Sequence, residues 1–150
     1  MNELQELYQQ VILDHNKNPR NFGKLEPATH HAEGHNPLCG DNVTVELFLD
    51  AAGVIQDIRF SGSGCAISKA SASIMTTVLK GKTKAEAEKM FEQFQHLVTA
   101  DMSEIADLES LGKLAVFAGV KEFPARIKCA SLSWHTMTAA LHGEEIVSTE

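Results

Sequence analysis

Apolar residues at Leu4, Leu7, Tyr8, Val11 and Ile12 recur at spacings of three and four, so the chain opens with one apolar helical face that ends at Asn16-Lys17-Asn18-Pro19. From Thr29 to Pro37 the chain is polar and turn-rich, which reads as a solvated loop or edge strand. A period of two follows. Val43, Val45, Leu47 and Leu49 alternate with polar or exposed positions, Asp50-Ala51-Ala52-Gly53 can turn, and the run from Val54 to Phe60 returns as the second strand of a hairpin with one buried face. After Gly62-Ser63-Gly64 the helical period resumes in Ile67, Ala70, Ile74 and Val78 and stops at Lys80-Gly81. Thr83-Lys84-Ala85-Glu86 has the form of a capping box, and Ala87, Met90, Phe91, Phe94 and Leu97 continue it as one apolar face.

Two shorter helical pieces are expected next, one with Ile105 and Leu108, the other with Leu111, Leu114 and Ala118. Pro124 then interrupts, and Leu132, Thr136 and Ala139, flanked by Trp134, Met137 and Leu141, predict a final helix. Strands in one run followed by helices give an α+β fold, a small antiparallel sheet packed with helices, rather than an alternating α/β one.

A chain of 150 residues fits a single domain over 1–150, with enough core to need no staples. Three cysteines are an odd number, and Met1 runs directly into the amphipathic stretch without a charged-then-apolar leader, so the expected location is cytoplasmic with reduced thiols. No apolar run approaches the roughly 18 residues of a membrane-spanning helix. A net charge of −7 argues against nucleic-acid or anionic-membrane surfaces as partners.

The cysteines carry the chemistry. Each lies in a polar or glycine-marked setting: Asn36-Pro37-Leu38-Cys39-Gly40-Asp41, Ser61-Gly62-Ser63-Gly64-Cys65, and Phe123-Pro124-Ala125-Arg126-Ile127-Lys128-Cys129. Inert core packing is the ordinary use of such residues. Here Cys65 and Cys129 fall near predicted helix N-termini, where exposed N–H groups and the helix dipole favour thiolate, the reactive and metal-binding form. Three thiolates with one carboxylate make a four-coordinate set suited to zinc, and Asp41 is the natural fourth member: on an extended backbone it shares a side with Cys39. The cysteines are far apart in sequence and do not form a local zinc knuckle, so a shared site and three separate residues both remain open. His135 follows Cys129 by nearly two helical turns, too far for an easy thiol–imidazole pair, and reads as a helix-surface or core histidine. His30, His31 and His35 are assigned no ligand role.

Together with Asp14-His15-Asn16-Lys17-Asn18-Pro19-Arg20-Asn21, the motifs around the three cysteines occur in an order that resembles the IscU/NifU-type iron–sulfur assembly proteins, with the SufU branch the nearest match. The resemblance implies a SufU/IscU-like fold with a family-specific helical insertion at about 82–120. It implies zinc held by Cys39, Asp41, Cys65 and Cys129. It further implies that Cys39 accepts sulfur as a persulfide from a SufS-type cysteine desulfurase, which supplies a histidine in its place, while Asp41, Cys65 and Cys129 retain the metal. Arg126 matches a family arginine near the site that can stabilise the freed thiolate or persulfide by charge; a plain surface arginine is the other reading.

The implied function is a zinc-dependent sulfurtransferase that feeds downstream iron–sulfur assembly proteins. The alternative is a scaffold or carrier that builds a transient iron–sulfur cluster on the same cysteines. A third reading is an interaction module in which zinc only stabilises the fold. Two departures from the IscU pattern favour the sulfur shuttle. Lys128 precedes the third cysteine where an IscU-like scaffold has histidine, and Phe123-Pro124-Ala125-Arg126 replaces its proline-rich chaperone-binding stretch.

Overall fold

The computed structural model describes residues 3–37, 40–99, 117, 124–143 and 146–148. The opening amphipathic stretch forms α1, Glu3–Lys17. Three strands follow, β1 (His30–Asn36), β2 (Asp41–Leu49) and β3 (Ile55–Ser63), each antiparallel to its neighbour. Helices α2 (Ala66–Leu79), α3 (Lys84–Thr99) and α4 (Pro124–Leu141) come next, and β4 (Ile146–Ser148) runs parallel to β1. The sheet order is β3-β2-β1-β4, an α+β arrangement as the pattern predicts. The two short helices expected around Ile105 and Leu114 lie outside the described residues, as does most of the second half of the 82–120 segment; Phe117 is buried against Phe94.

Alternation places Val43, Val45 and Leu47 of β2 and Ile55, Ile58 and Phe60 of β3 on one covered face. A bulge between Phe48 and Leu49 turns Leu49 out of the fully buried set. Helix α4 lies across β1 and β2 and is packed in turn by α2 and α3. It buries Leu132, Trp134, Met137, Ala139, Ala140 and Leu141, so it is enclosed nearly all round. Trp134 stacks on Phe94 of α3 at a ring separation of 4.7 Å.

Three features differ from expectation. The polar stretch at Thr29–Pro37 is neither a loop nor an edge: β1 is an inner strand with β2 on one side and β4 on the other. Its inward residues are Ala32, Gly34 and Asn36, small or polar because α4 passes close; a Cβ on Gly34 would lie 2.0 Å from Thr136 Oγ1. Pro124 does not separate elements but opens α4, where its missing N–H leaves no intrahelical bond unmade. In α2 the buried surface is wider than the predicted stripe and includes Ser71, Ser73 and Thr76, while Ile67 and Val78 are only partly buried.

The capping box at α3 is formed reciprocally: Glu86 N–H donates to Thr83 Oγ1 at 3.1 Å, and Thr83 N–H donates to Glu86 Oε1 at 3.0 Å. The Thr83 N–H, with the Thr83 side chain adding to it, holds the Glu86 carboxyl below the usual carboxylate range. Thr83→Ala removes one acceptor at the helix start and is expected to lower Tm by roughly 2–4 °C, read by calorimetry, with no change in metal content.

Candidate metal centre

The alternation that buries the β2 valines continues to its first residue, Asp41, and the matching alternation in β1 ends at Asn36. These two are cross-strand partners at the mouth of the β1–β2 connection. Both are buried, and Asp41 is only 1% exposed. Cys65 comes to the same point as the N-cap of α2. Its N–H donates to Asp41 Oδ1 at 2.9 Å, its Sγ lies 3.9 Å from Asp41 Oδ2, and the Ser68 N–H donates to that Sγ at 3.4 Å. Gly64 leaves room for this: a Cβ there would sit 2.7 Å from Asp41 Oδ1.

Cys129 arrives from the other side on α4 and is fully buried. It is the sixth residue of the helix, more than a turn inside, so its setting is not the open N-terminal N–H groups expected from the sequence. Asn36 Nδ2 instead approaches its Sγ at 3.8 Å. One turn earlier, Arg126 is exposed on the same helix; the Cys65 and then the Cys129 sulfur hold its guanidinium more firmly protonated than usual, with hydrogen bonds to both adding to the effect.

Asp41, Cys65 and Cys129 therefore offer one carboxylate oxygen and two sulfurs, all within 4.8 Å of one another. Tetrahedral zinc with Zn–S near 2.3 Å places its ligand atoms about 3.8 Å apart, so the cluster needs only small side-chain adjustments. The carboxylate itself argues for a cation. Among the described residues it accepts one backbone N–H and faces the Cys65 thiol at 3.9 Å, which leaves a nearly inaccessible carboxylate with acceptor capacity that a cation would use. The donor set fits zinc.

Cys39 lies outside the described residues. Gly40 has φ +70°, so the extended backbone invoked to align Cys39 with Asp41 does not hold at the residue between them. Among the described residues the histidines contribute no second cluster. His30 and His35 bond to Thr29 and Asn42, and His135 sits against Phe91 and Gln95 of α3, where burial lowers its pKa. The motif from Asp14 to Asn21 serves as a clasp between α1 and α2: His15 Nδ1 meets Ser73 Oγ at 2.7 Å, the Arg20 N–H donates to the same oxygen, and Asn21 Nδ2 donates to Thr76 Oγ1. Nothing local in the sequence marks Asn36 for a role at the site. The signal for it was a polar residue at an inward position of a strand, visible only once β1 is known to be one.

The chain is 42% identical to the zinc-dependent sulfurtransferase SufU of Bacillus subtilis over 142 residues, covering 95% of this chain and 94% of that protein. It is 37% identical to the iron–sulfur cluster assembly scaffold protein IscU of Streptococcus pyogenes, covering 94% of this chain and 86% of that one. A crystal structure from Fervidobacterium islandicum, of a protein assigned to the SUF system as an iron–sulfur cluster assembly scaffold, superposes with a TM-score of 0.81 at 37% identity, over 91% of this chain and 98% of that chain. The NifU-like N terminal domain pattern matches residues 7–130, and the chain belongs to that family.

Proposed function

We propose that this chain is a zinc-dependent sulfurtransferase of iron–sulfur cluster assembly, taking persulfide sulfur from a SufS-type cysteine desulfurase. The observation that carries the reading is the meeting of a buried carboxylate with two cysteine sulfurs at the end of the sheet. The similarity to a named zinc-dependent sulfurtransferase along nearly the whole chain supports it. Asp41, Cys65 and Cys129 are the holding residues, since strand, helix cap and helix interior fix them on three elements. Zinc, when bound, keeps cysteine ligands as thiolate at neutral pH, where a free cysteine of pKa about 8.5 is mostly protonated.

Cys39 is the acceptor. Its thiolate attacks the terminal sulfur of the desulfurase persulfide; the new S–S bond forms on Cys39 as the old one breaks, and the electron pair leaves on the desulfurase cysteine. Arg126 holds a positive charge beside the cysteine sulfurs and offsets the negative charge of thiolate or persulfide. The test is kinetic. In the presence of a thiol reductant, the zinc-loaded protein should raise sulfide release by the desulfurase many-fold, and Cys39→Ala should return the rate to that of the desulfurase alone. An equal rate with and without the wild-type protein overturns the proposal.

A scaffold reading is favoured by the naming of the Streptococcus pyogenes relative and of a 36% identical Thermotoga maritima relative as scaffold proteins. It treats the cluster as cargo assembled on the same thiolates. Anaerobic reconstitution yielding matched iron and sulfide that passes to an apo-acceptor would select it. Absence of a stable cluster, with desulfurase activation intact, selects sulfur transfer.

A further inference from the structure

Asn36 is fully buried at the end of β1, directly opposite Asp41, and Pro37 after it favours the extended backbone that turns its side chain inward. Its amide makes one contact, from Nδ2 to Cys129 Sγ at 3.8 Å, and its Oδ1 is buried without a hydrogen-bond partner among the described residues. A half-satisfied buried amide is a poor device for stability, because an apolar side chain of the same shape would fill the space with no orphaned oxygen. The residue is explained by what its N–H reaches. A metal-bound sulfur has no proton to give and can only accept, and Nδ2 is the donor placed against it.

We propose that Asn36 is a positioning residue of the metal centre: its side-chain N–H donates to the Cys129 sulfur and fixes that sulfur's direction and donor strength toward the metal. The proposal rests on the metal reading of the Asp41–Cys65–Cys129 cluster. It assigns to the strand pair that frames the cluster a second task, because Asn36 and Asp41 are one cross-strand pair, with Asp41 in the donor set and Asn36 supporting a sulfur that α4 supplies. Hydrogen-bond partners of metal ligands are worth about 10–100-fold in metal affinity when removed.

The experiment loads the whole protein with cobalt(II) as an optical probe and with zinc for chelator competition, in wild type and in Asn36→Leu. Loss of an N–H donor makes the sulfur a stronger electron donor, so the sulfur-to-cobalt charge-transfer band is expected to move to lower energy. Zinc retention is expected to fall about 10–100-fold, because losing the fixed direction of the sulfur outweighs its greater donor strength. The metal-free Tm should be unchanged or higher, a combination that a merely structural residue does not produce. Should the leucine variant not fold, Asn36→Ser, whose hydroxyl is too short to reach the sulfur, is read for the same two shifts. An unmoved band, unchanged zinc retention, or failure of both variants to fold overturns the proposal. Wild type that takes up neither metal overturns the metal reading itself, an outcome distinct from wild type that binds and variants that match it.

Discussion

Asp41→Ala is expected to strip the protein of zinc while leaving its metal-free fold as stable as the wild type or more so. Among the described residues the buried carboxylate has one backbone donor and the Cys65 thiol, so without a cation its acceptor capacity is only partly used. Removing it relieves the cost of that unused capacity and removes a ligand together. Zinc should therefore raise the Tm of wild type and not that of the variant; a ligand present at 100 times its Kd adds about 2.7 kcal/mol. Asp41→Asn separates charge from shape, since its Oδ1 still accepts the Cys65 N–H: the cap survives and zinc retention still drops. Gly64→Ala tests the same carboxylate from outside. Its Cβ would fall 2.7 Å from Asp41 Oδ1, and because the carboxylate is the end of a side chain, it yields before the backbone does. The fold is expected to persist with weakened metal retention, measured by chelator competition. Zinc affinity unchanged in both Asp41→Ala and Gly64→Ala would remove Asp41 from the donor set.

The parts of this molecule that speak through hydrophobic period were legible in the sequence. The β2–β3 hairpin, the α2 start at Cys65 and the Thr83–Glu86 box stand where periodicity and capping chemistry place them. β1 was not legible, because close contact with α4 selects Ala32, Gly34 and Asn36 as its inward residues, and none of these registers as apolar alternation. The serine-lined side of α2 was hidden for a related reason: Ser71 is buried because it bonds to the Ala130 carbonyl of α4, and Ser73 because it meets His15 of α1. At the candidate centre, residue types and glycine turns offered Cys39, Asp41, Cys65 and Cys129 as candidates and left a shared site open; the family resemblance was what implied them as one set. What brings Asp41, Cys65 and Cys129 together is tertiary: the end of one strand, the cap of one helix and the interior of another. A strand-end asparagine bonding to a cysteine 93 residues away leaves no local trace.

Trp134→Ala carries the largest expected cost in stability and reaches the metal centre indirectly. Trp134 is fully buried, lies nearly parallel to Phe94 with 13° between the rings, and donates from Nε1 to Ser71 Oγ at 3.2 Å. Ser71 Oγ in turn donates to the Ala130 carbonyl at 2.5 Å, one residue beyond Cys129. This chain of contacts ties α2, which starts at Cys65, to the segment of α4 that carries Cys129, with α3 pressed on as backing. Truncating a buried tryptophan costs about 3–5 kcal/mol, which for a chain of this size lowers Tm by roughly 10 °C. Trp134→Phe keeps an aromatic face for Phe94 and loses the Nε1 donor, so it should cost less in Tm. Both variants loosen the Ser71 link, and both are expected to hold zinc less tightly in chelator competition, the alanine variant more so. If Trp134→Ala lowers Tm as expected while zinc retention stays at the wild-type level, the spacing of Cys65 and Cys129 is set elsewhere, and the α2–α4 tie is a matter of stability alone.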